Sequence, residues 1–480
     1  MRLGSRATLA EFSALDALDV PKAVRDRLLA DRAIVDAAAE GDAPVYGLNT
    51  GLGANLGHRI APGDIARFQR QLLEGRAVAV GPPLPEPTGR AVLLARLVSI
   101  RGSGISLEMF DHLLAVYASG LSPVVPAFGS IGAGDLTQNA VWALALLGTG
   151  RMWCAGEMVG AGEALASVGL VVPDLRPKDA MALINHGGLS SALSSQALQA
   201  SAEALAMGRA AALLSYAGYD ANRDIFAPEV NALRPAPGQG ETAAWFAERL
   251  TGAQTPRRVQ EALSFRTVAP VLGAALDAQT RATAIWSDEV NGLSDSPAVL
   301  GRDAMRSTPN FHGPALALAL ESVALANAMT ANGALHRCQR MMNPDLSGLP
   351  RYLSPEGGAS AGMVPAQKTA AALLSEIRRH AMPVTLDPAP VSDAVEDMAP
   401  MTPQAARKLS EQAEPLRLLA GYEALVACQA IDLRGQEPPP AVAALHRAVR
   451  AQIPPLGPDR PLGGAIETAA QVLTETAEPL

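Results

Sequence analysis

Long stretches built from strong helix formers limit this chain to a helical architecture. Leu189 to Tyr216, Pro314 to Arg340 and Met363 to His380 are rich in Ala and Leu, with little Gly or Pro inside them. Each predicts one long helix. Aromatic residues make up only 4% of the 480 residues, so these helices must pack closely through small side chains, as bundles of long helices do. Gly- and Pro-rich breaks fall at residues 46–57, 122–134, 227–240, 343–362 and 383–403. Loops held between rigid helices are where catalytic groups concentrate. The expected fold is mainly α: a loop-rich active-site region over residues 1–190 and a helical bundle over 191–480, together one continuous unit.

A composition of 49% hydrophobic and 18% charged residues excludes a disordered chain. The net charge of -8 argues against nucleic acid as a partner and suits an enzyme of small ligands. Cys154, Cys338 and Cys428 are scattered, with no CxxC and no neighbouring Cys/His ligand set. They read as core residues in a reducing compartment, with no metal site. The N-terminal residues carry no apolar segment of signal-peptide type. No uninterrupted apolar run reaches the ~18 residues of a membrane span; Pro314 to Ala331 comes closest, interrupted by Glu321 and Asn327. The expected location is the cytoplasm.

Several short motifs carry chemistry. Tyr46-Gly47-Leu48-Asn49-Thr50-Gly51-Leu52-Gly53 is a glycine-rich turn presenting one tyrosine, either a half-buried structural residue or a base. A phenol has a reference pKa near ~10, so it abstracts protons well only as a phenolate stabilised by cations or hydrogen bonds. Gly129-Ser130-Ile131-Gly132-Ala133-Gly134-Asp135-Leu136 is a second glycine-rich turn. In chain order there follow Lys178 to Asn185, Val259 to Arg266, Glu289-Val290-Asn291, Asp295-Ser296-Pro297, Asn310-Phe311-His312-Gly313, Asn343 to Pro350, Ala366 to Leu373 and Glu396-Asp397. Each alone is weak; a lone Arg on a helix is most often a solvated charge.

Taken in that order, they resemble the histidine and phenylalanine ammonia-lyase superfamily. Its motifs read Tyr-Gly-Ile-Asn-Thr-Gly-Phe-Gly, Gly-Ser-Val-Gly-Ala-Ser-Gly-Asp-Leu and Val-Gln-Asp-x-Tyr-Ser-x-Arg. The resemblance implies the family's long-helix fold, a homotetramer whose sites combine loops of several subunits, and a catalytic base at Tyr46. It implies that Asn185 orients the substrate's polar groups and that Arg266 clamps its carboxylate, a task guanidinium geometry suits. It further implies that Glu396 bonds a substrate ring.

Several departures bear on chemistry. The family's Ala-Ser-Gly triplet cyclises into a methylidene-imidazolone, whereas here Ala133 runs directly into Gly134. Ser130 is no substitute, because Ile131 after it would crowd the cyclisation. Leu263 stands where the family has a second active-site tyrosine. Lys368 is either a solvated helix lysine or a cation facing the pocket, and His186, after Asn185, is either structural or pocket-facing. Arg76 falls where histidine-specific relatives carry a ring-recognising histidine. Together Arg76, His186 and Lys368 imply a pocket more cationic than that of an aromatic amino acid lyase.

The missing serine suggests a substrate whose nitrogen leaves unaided, an α-trimethylammonium betaine. In lacking the triplet and carrying Lys368 the sequence is similar to a family member that acts on ergothioneine, and this resemblance implies elimination to thiourocanate and trimethylamine without any cofactor. In that reading Phe311 faces the trimethylammonium and Lys368 meets the thione sulfur. A conventional ammonia-lyase or aminomutase, and a non-catalytic homologue, remain the other two classes.

Overall fold

A computed structural model describes residues 1–51, 57–252, 254–301, 304–386 and 389–480. The chain is mainly helical, as its composition requires. It divides into two compact units. The first comprises Met1–Gln196, Thr283–Leu318 and Pro383–Arg407; the second comprises Ala197–Ala282, Ala319–Met382 and Lys408–Leu480. After Gln196 the chain returns to the first unit twice.

The first unit holds every described strand: a three-stranded antiparallel sheet of Ser122–Pro123, Arg151–Cys154 and Glu157–Gly160, a long-range antiparallel pair of Val80–Pro83 with Pro126–Phe128, and a hairpin of Ala298–Leu300 with Ala304–Arg306. Around them pack α1 (Ile65–Glu74), α2 (Glu86–Val98), α3 (Leu136–Leu146) and the short α4 (Asp179–Ile184). Every residue of α4 is buried, which fixes the position of Asn185 at its C-terminal end. Trp142 on α3 is fully buried and donates its indole N–H to the Gly89 carbonyl at 3.0 Å.

The second unit holds helices and loops, with no strand among its described residues. Small side chains let its helices approach: a Cβ placed on Gly421 would lie 2.5 Å from the Ile466 carbonyl oxygen and 2.9 Å from Ala470 Cβ. Several of the scarce aromatics cluster here. Phe226 and Phe246 stack at 4.9 Å, Tyr219 and Phe265 at 4.4 Å, and Tyr216 meets three of these rings at a tilt or on edge. This cluster surrounds α5 (Leu263–Arg266), the single turn that carries Arg266.

One helix, Pro314–Met341, is long and apolar enough to cross a membrane by length and composition, but half of its most apolar window is buried inside the fold. Its Glu321 pairs with Lys408, which is how a core helix accommodates the charge that interrupts its apolar run.

Candidate active site

Tyr46 is half-buried on a tight turn that the buried Asn49 side chain pins from both sides. Asn49 Oδ1 accepts the Val45 N–H at 2.7 Å, and its Nδ2 donates to the Ala43 carbonyl at 2.9 Å. Leu52 and Gly53, which complete the motif, lie outside the described residues. Arg76 follows the C-terminus of α1 and is half-buried. Burial pushes its guanidinium below the ordinary range, while Tyr46 and Glu396 oppose that shift. The fold therefore brings Tyr46, Arg76 and Glu396 into one electrostatic cluster. Glu396 sits on a loop closed by backbone hydrogen bonds to Val391 in both directions, and its Oε1 accepts the Ser392 hydroxyl at 3.0 Å.

A second cluster forms around Gly134. Its N–H donates to the Phe311 carbonyl at 3.1 Å, and its carbonyl accepts the His186 N–H at 3.2 Å. Its φ is +78°, and a Cβ there would fall 2.4 Å from Asn185 Oδ1 and 3.6 Å from Phe311 Cβ. Only glycine fits that position, and it seats Asn185 and Phe311 on either side of the loop. Asn185 is buried and donates from Nδ2 to the Ser296 carbonyl at 2.8 Å.

Asp135 closes the loop. It is buried and accepts the Ser130 hydroxyl at 2.6 Å, the Ser190 N–H at 2.8 Å and the Ser190 hydroxyl at 3.0 Å. Burial nevertheless raises its pKa. Ser130 Oγ also accepts the Gly132 N–H at 2.9 Å, so this hydroxyl is committed to holding the turn. The residues present do not compose the family's cyclising triplet, and the loop leaves no space at Gly134 for a side chain.

The pocket-facing reading of His186 is corrected. It is fully buried, its Nδ1 accepts the Gly188 N–H at 3.0 Å and its Nε2 lies 3.0 Å from the Leu183 carbonyl oxygen. Both ring nitrogens thus serve the local backbone, and burial holds the imidazole neutral, well below its ordinary pKa. Its ring packs edge-on against Trp142 at 6.0 Å. The neighbouring glycine amide that captures Nδ1 is a contact no sequence pattern announced.

Arg266 and Lys368 belong to the second unit, and both are exposed in the single chain. Arg266 Nη1 donates to Gln260 Oε1 at 3.0 Å. The α5 turn that carries it is rigid: Tyr216 donates its hydroxyl to the Phe265 carbonyl, and Arg337 Nη1 donates to the Ser264 carbonyl at 3.2 Å. Arg337 is in turn clamped by the buried Glu423 at 2.6 and 2.9 Å. Lys368 lies on the exposed face of the helix Val364–Arg379, so the single chain gives it no pocket.

Sequence reasoning passed over Glu289, whose pKa is raised by burial and by the nearby Asp135. It also missed the ion cluster of Arg96, Lys178 and Asp295, all fully buried. The signal lay in motifs already recognised, since Glu289, Lys178 and Asp295 all fall inside them. Among the described residues no group of three or more His, Cys, Asp or Glu side chains could hold a metal ion.

The aromatic amino acid lyase family profile matches residues 7–451, and the chain belongs to that family. It is 36% identical to a histidine ammonia-lyase of Sorangium cellulosum, over 99% of this chain and 98% of the relative. Identity to the histidine ammonia-lyase of Anaeromyxobacter sp. is 37%, over 94% and 93%. Among solved structures it is similar to the ergothioneine-degrading ergothionase of Treponema denticola, with a TM-score of 0.94 and 26% identity over 99% of each chain. The histidine ammonia-lyase of Trypanosoma cruzi superimposes with a TM-score of 0.90 at 29% identity, over 99% and 94%.

Proposed function

We propose that this lyase eliminates trimethylamine from an α-trimethylammonium carboxylate, ergothioneine being the type substrate and thiourocanate its product, without forming a methylidene-imidazolone. The observation that carries this reading is the direct run of Ala133 into Gly134, in a loop where Asn185 Oδ1 fills the space a side chain would need. The family's electrophile serves to make an amine a viable leaving group by accepting its lone pair. A quaternary ammonium has no lone pair to give and needs no such help.

The reaction balances without a co-reactant. Tyr46, as phenolate, takes the β-proton; the C–H electrons form the Cα–Cβ double bond; the Cα–N pair leaves with neutral trimethylamine. The proton on Tyr46 then returns to solvent. Arg76 lies in the same electrostatic cluster as Tyr46 and Glu396. Asn185 and Arg266 hold the carboxylate, Glu396 bonds the ring N–H, Phe311 offers its ring face to the trimethylammonium and Lys368 meets the ring's sulfur.

Arg266 and Lys368 are exposed in the single chain, and we assign the active unit to a homotetramer that covers them. Leu318, Leu325 and Met329 are exposed large apolar residues on one face of the helix Pro314–Met341, and Val259 and Leu263 flank Arg266 in the same state. Apolar surface of this kind supports burial against further copies. Three free cysteines suit a reducing compartment, and we assign the protein to the cytoplasm.

The sequence relatives favour a second reading, elimination of ammonia from histidine. A panel of ergothioneine, hercynine, histidine and phenylalanine, scored for trimethylamine and ammonia, separates the two. Trimethylamine from a betaine, with intact mass equal to the sequence mass, is the expected result. Ammonia from histidine, with a mass short by two waters, overturns the proposal.

A further inference from the structure

We infer that Arg96 and Lys178 are positioning residues for Asn185, acting through Asp295 and the peptide that follows it. The inference rests on the reading of Asn185 as the substrate-orienting amide. Lys178, Asp295 and Arg96 are each 0% exposed at the side chain. Asp295 Oδ1 lies 3.0 Å from Lys178 Nζ, and its Oδ2 accepts from Arg96 Nη2. Two cations thus grip one carboxylate from opposite oxygens, which fixes the direction of the Asp295 backbone.

The next carbonyl along the chain is the one that matters. Ser296 O accepts Asn185 Nδ2 at 2.8 Å. Thr308 ties the same turn down from the other side, its Oγ1 donating to Asp295 O at 2.7 Å and its N–H to Ser296 Oγ at 3.1 Å. Asn185 is therefore held through Nδ2 by a carbonyl whose own position is set by the ion cluster, and its Oδ1 is turned toward Gly134. Lys178 acts at both ends of this path. It is the N-cap residue of α4, with φ +73°, and Asn185 is the C-cap residue of the same helix. Its Nζ also donates to the Ser103 carbonyl, so one ammonium ties α4, the Ser103 loop and the Asp295 turn together.

The cluster is costly to build, which argues that it does more than fill space. Burial works against the charge on Lys178, and a buried ion cluster is weak as a source of stability compared with apolar packing. Arg96 Nε and Nη1 have no hydrogen-bond partner among the described residues. The groups facing the cluster are Asp179, which Lys178 feels as an acidic neighbour, and His186, which Arg96 helps keep neutral. Asp179 is itself spent on Ser106 and on the Arg176 N–H. An arrangement that commits this much buried charge to one backbone turn is suited to precision, since a misplacement of ~1 Å in a substrate-holding group costs on the order of 10²-fold in rate.

The test uses the full-length protein in its native assembly, with whichever betaine or amino acid it turns over. Lys178→Met should lower kcat/KM by ~10²-fold. In an Asn185→Ala background the same change should cost almost nothing more, because the two act through one group. An undiminished loss in that background overturns the inference and makes the cluster merely structural. If Lys178→Met does not fold, Thr308→Val leaves the ions whole and cuts one tie, and its smaller loss must show the same non-additivity. Should Asn185→Ala keep the wild-type rate, the substrate role of Asn185 falls instead. The crystal structure of Lys178→Met, or of Thr308→Val in its place, then decides: an Asn185 amide displaced from Ser296 O sustains the anchoring, and an unmoved one refutes it.

Discussion

Replacing Gly134 by alanine isolates what the shortened loop demands. Two penalties arise from the geometry. At φ +78° a side chain meets the left-handed region, which costs ~1–2 kcal/mol. The new Cβ also lies 2.4 Å from Asn185 Oδ1, and overpacking of that kind costs ~1–3 kcal/mol. The total, ~2–5 kcal/mol, exceeds that of an ordinary surface substitution. Gly120→Ala is the internal control, because its φ is +81° but nothing lies within 4 Å of the added carbon; it should show the first penalty alone. Urea or thermal unfolding of both variants gives the difference, and steady-state kinetics shows where the overlap is relieved. If Asn185 swings aside, stability recovers and kcat/KM falls by ~10²-fold. A Gly134→Ala protein matching the Gly120→Ala control in stability and the wild type in kcat/KM refutes the argument.

Other consequences can be checked as directly. Tyr46→Phe should lower turnover by ~10²–10⁴-fold, the worth of positioned proton transfer, with an unchanged melting temperature; a near-normal rate places the base elsewhere. Glu423→Gln leaves the Arg337 guanidinium buried without its counter-charge, and should destabilise by ~3–5 kcal/mol in denaturant unfolding while raising KM through α5; a loss under ~1 kcal/mol contradicts this. His112 is buried with Nε2 2.7 Å from the Leu146 carbonyl oxygen, and burial lowers its pKa. The unfolded chain then takes up a proton that the folded one refuses, so this contribution is present above about pH 6.5 and is lost as pH falls. Burial of Asp135, Asp179 and Glu289, which raises their pKa values, acts in the opposite sense. The test is therefore a comparison: His112→Gln should flatten the stability slope between pH 5 and 6.5 by up to ~1.4 kcal/mol per pH unit, and equal slopes tell against it.

The helical class was legible because long Ala- and Leu-rich segments admit little else, and the family was legible because its motifs recur in order. Positions fixed by close backbone approach were harder to read. Gly134 could be seen as the residue after a lost serine, but not as the point where Asn185 and Phe311 meet, since that depends on contacts to residues far along the chain. His186 misled for a local reason: its Nδ1 is taken by an amide two residues on, an inward turn that leaves no trace in residue type. Lys368 could be placed on a helix, but its outward face depends on the helix's rotation against its neighbours. The buried Arg96–Asp295–Lys178 cluster joins two motifs and the helix α2, which look independent in the sequence and share one carboxylate in the fold.

The discontinuity of the first unit has a consequence for how the protein is made. Tyr46 and Asn185 belong to its opening segment, but Phe311 and Glu396 arrive with the two later ones. A ribosome adding ~5–20 residues per second needs roughly 10–40 s to travel from Gln196 to Pro383. For that interval the nascent chain carries Tyr46 and Asn185 without Glu396, and for its first part without Phe311 as well. Truncated products ending before Pro383 would hold the Gly134 loop and Asn185 without the strand of chain that brings Glu396. The first unit can therefore close only after synthesis has passed Pro383, long after its opening segment is made.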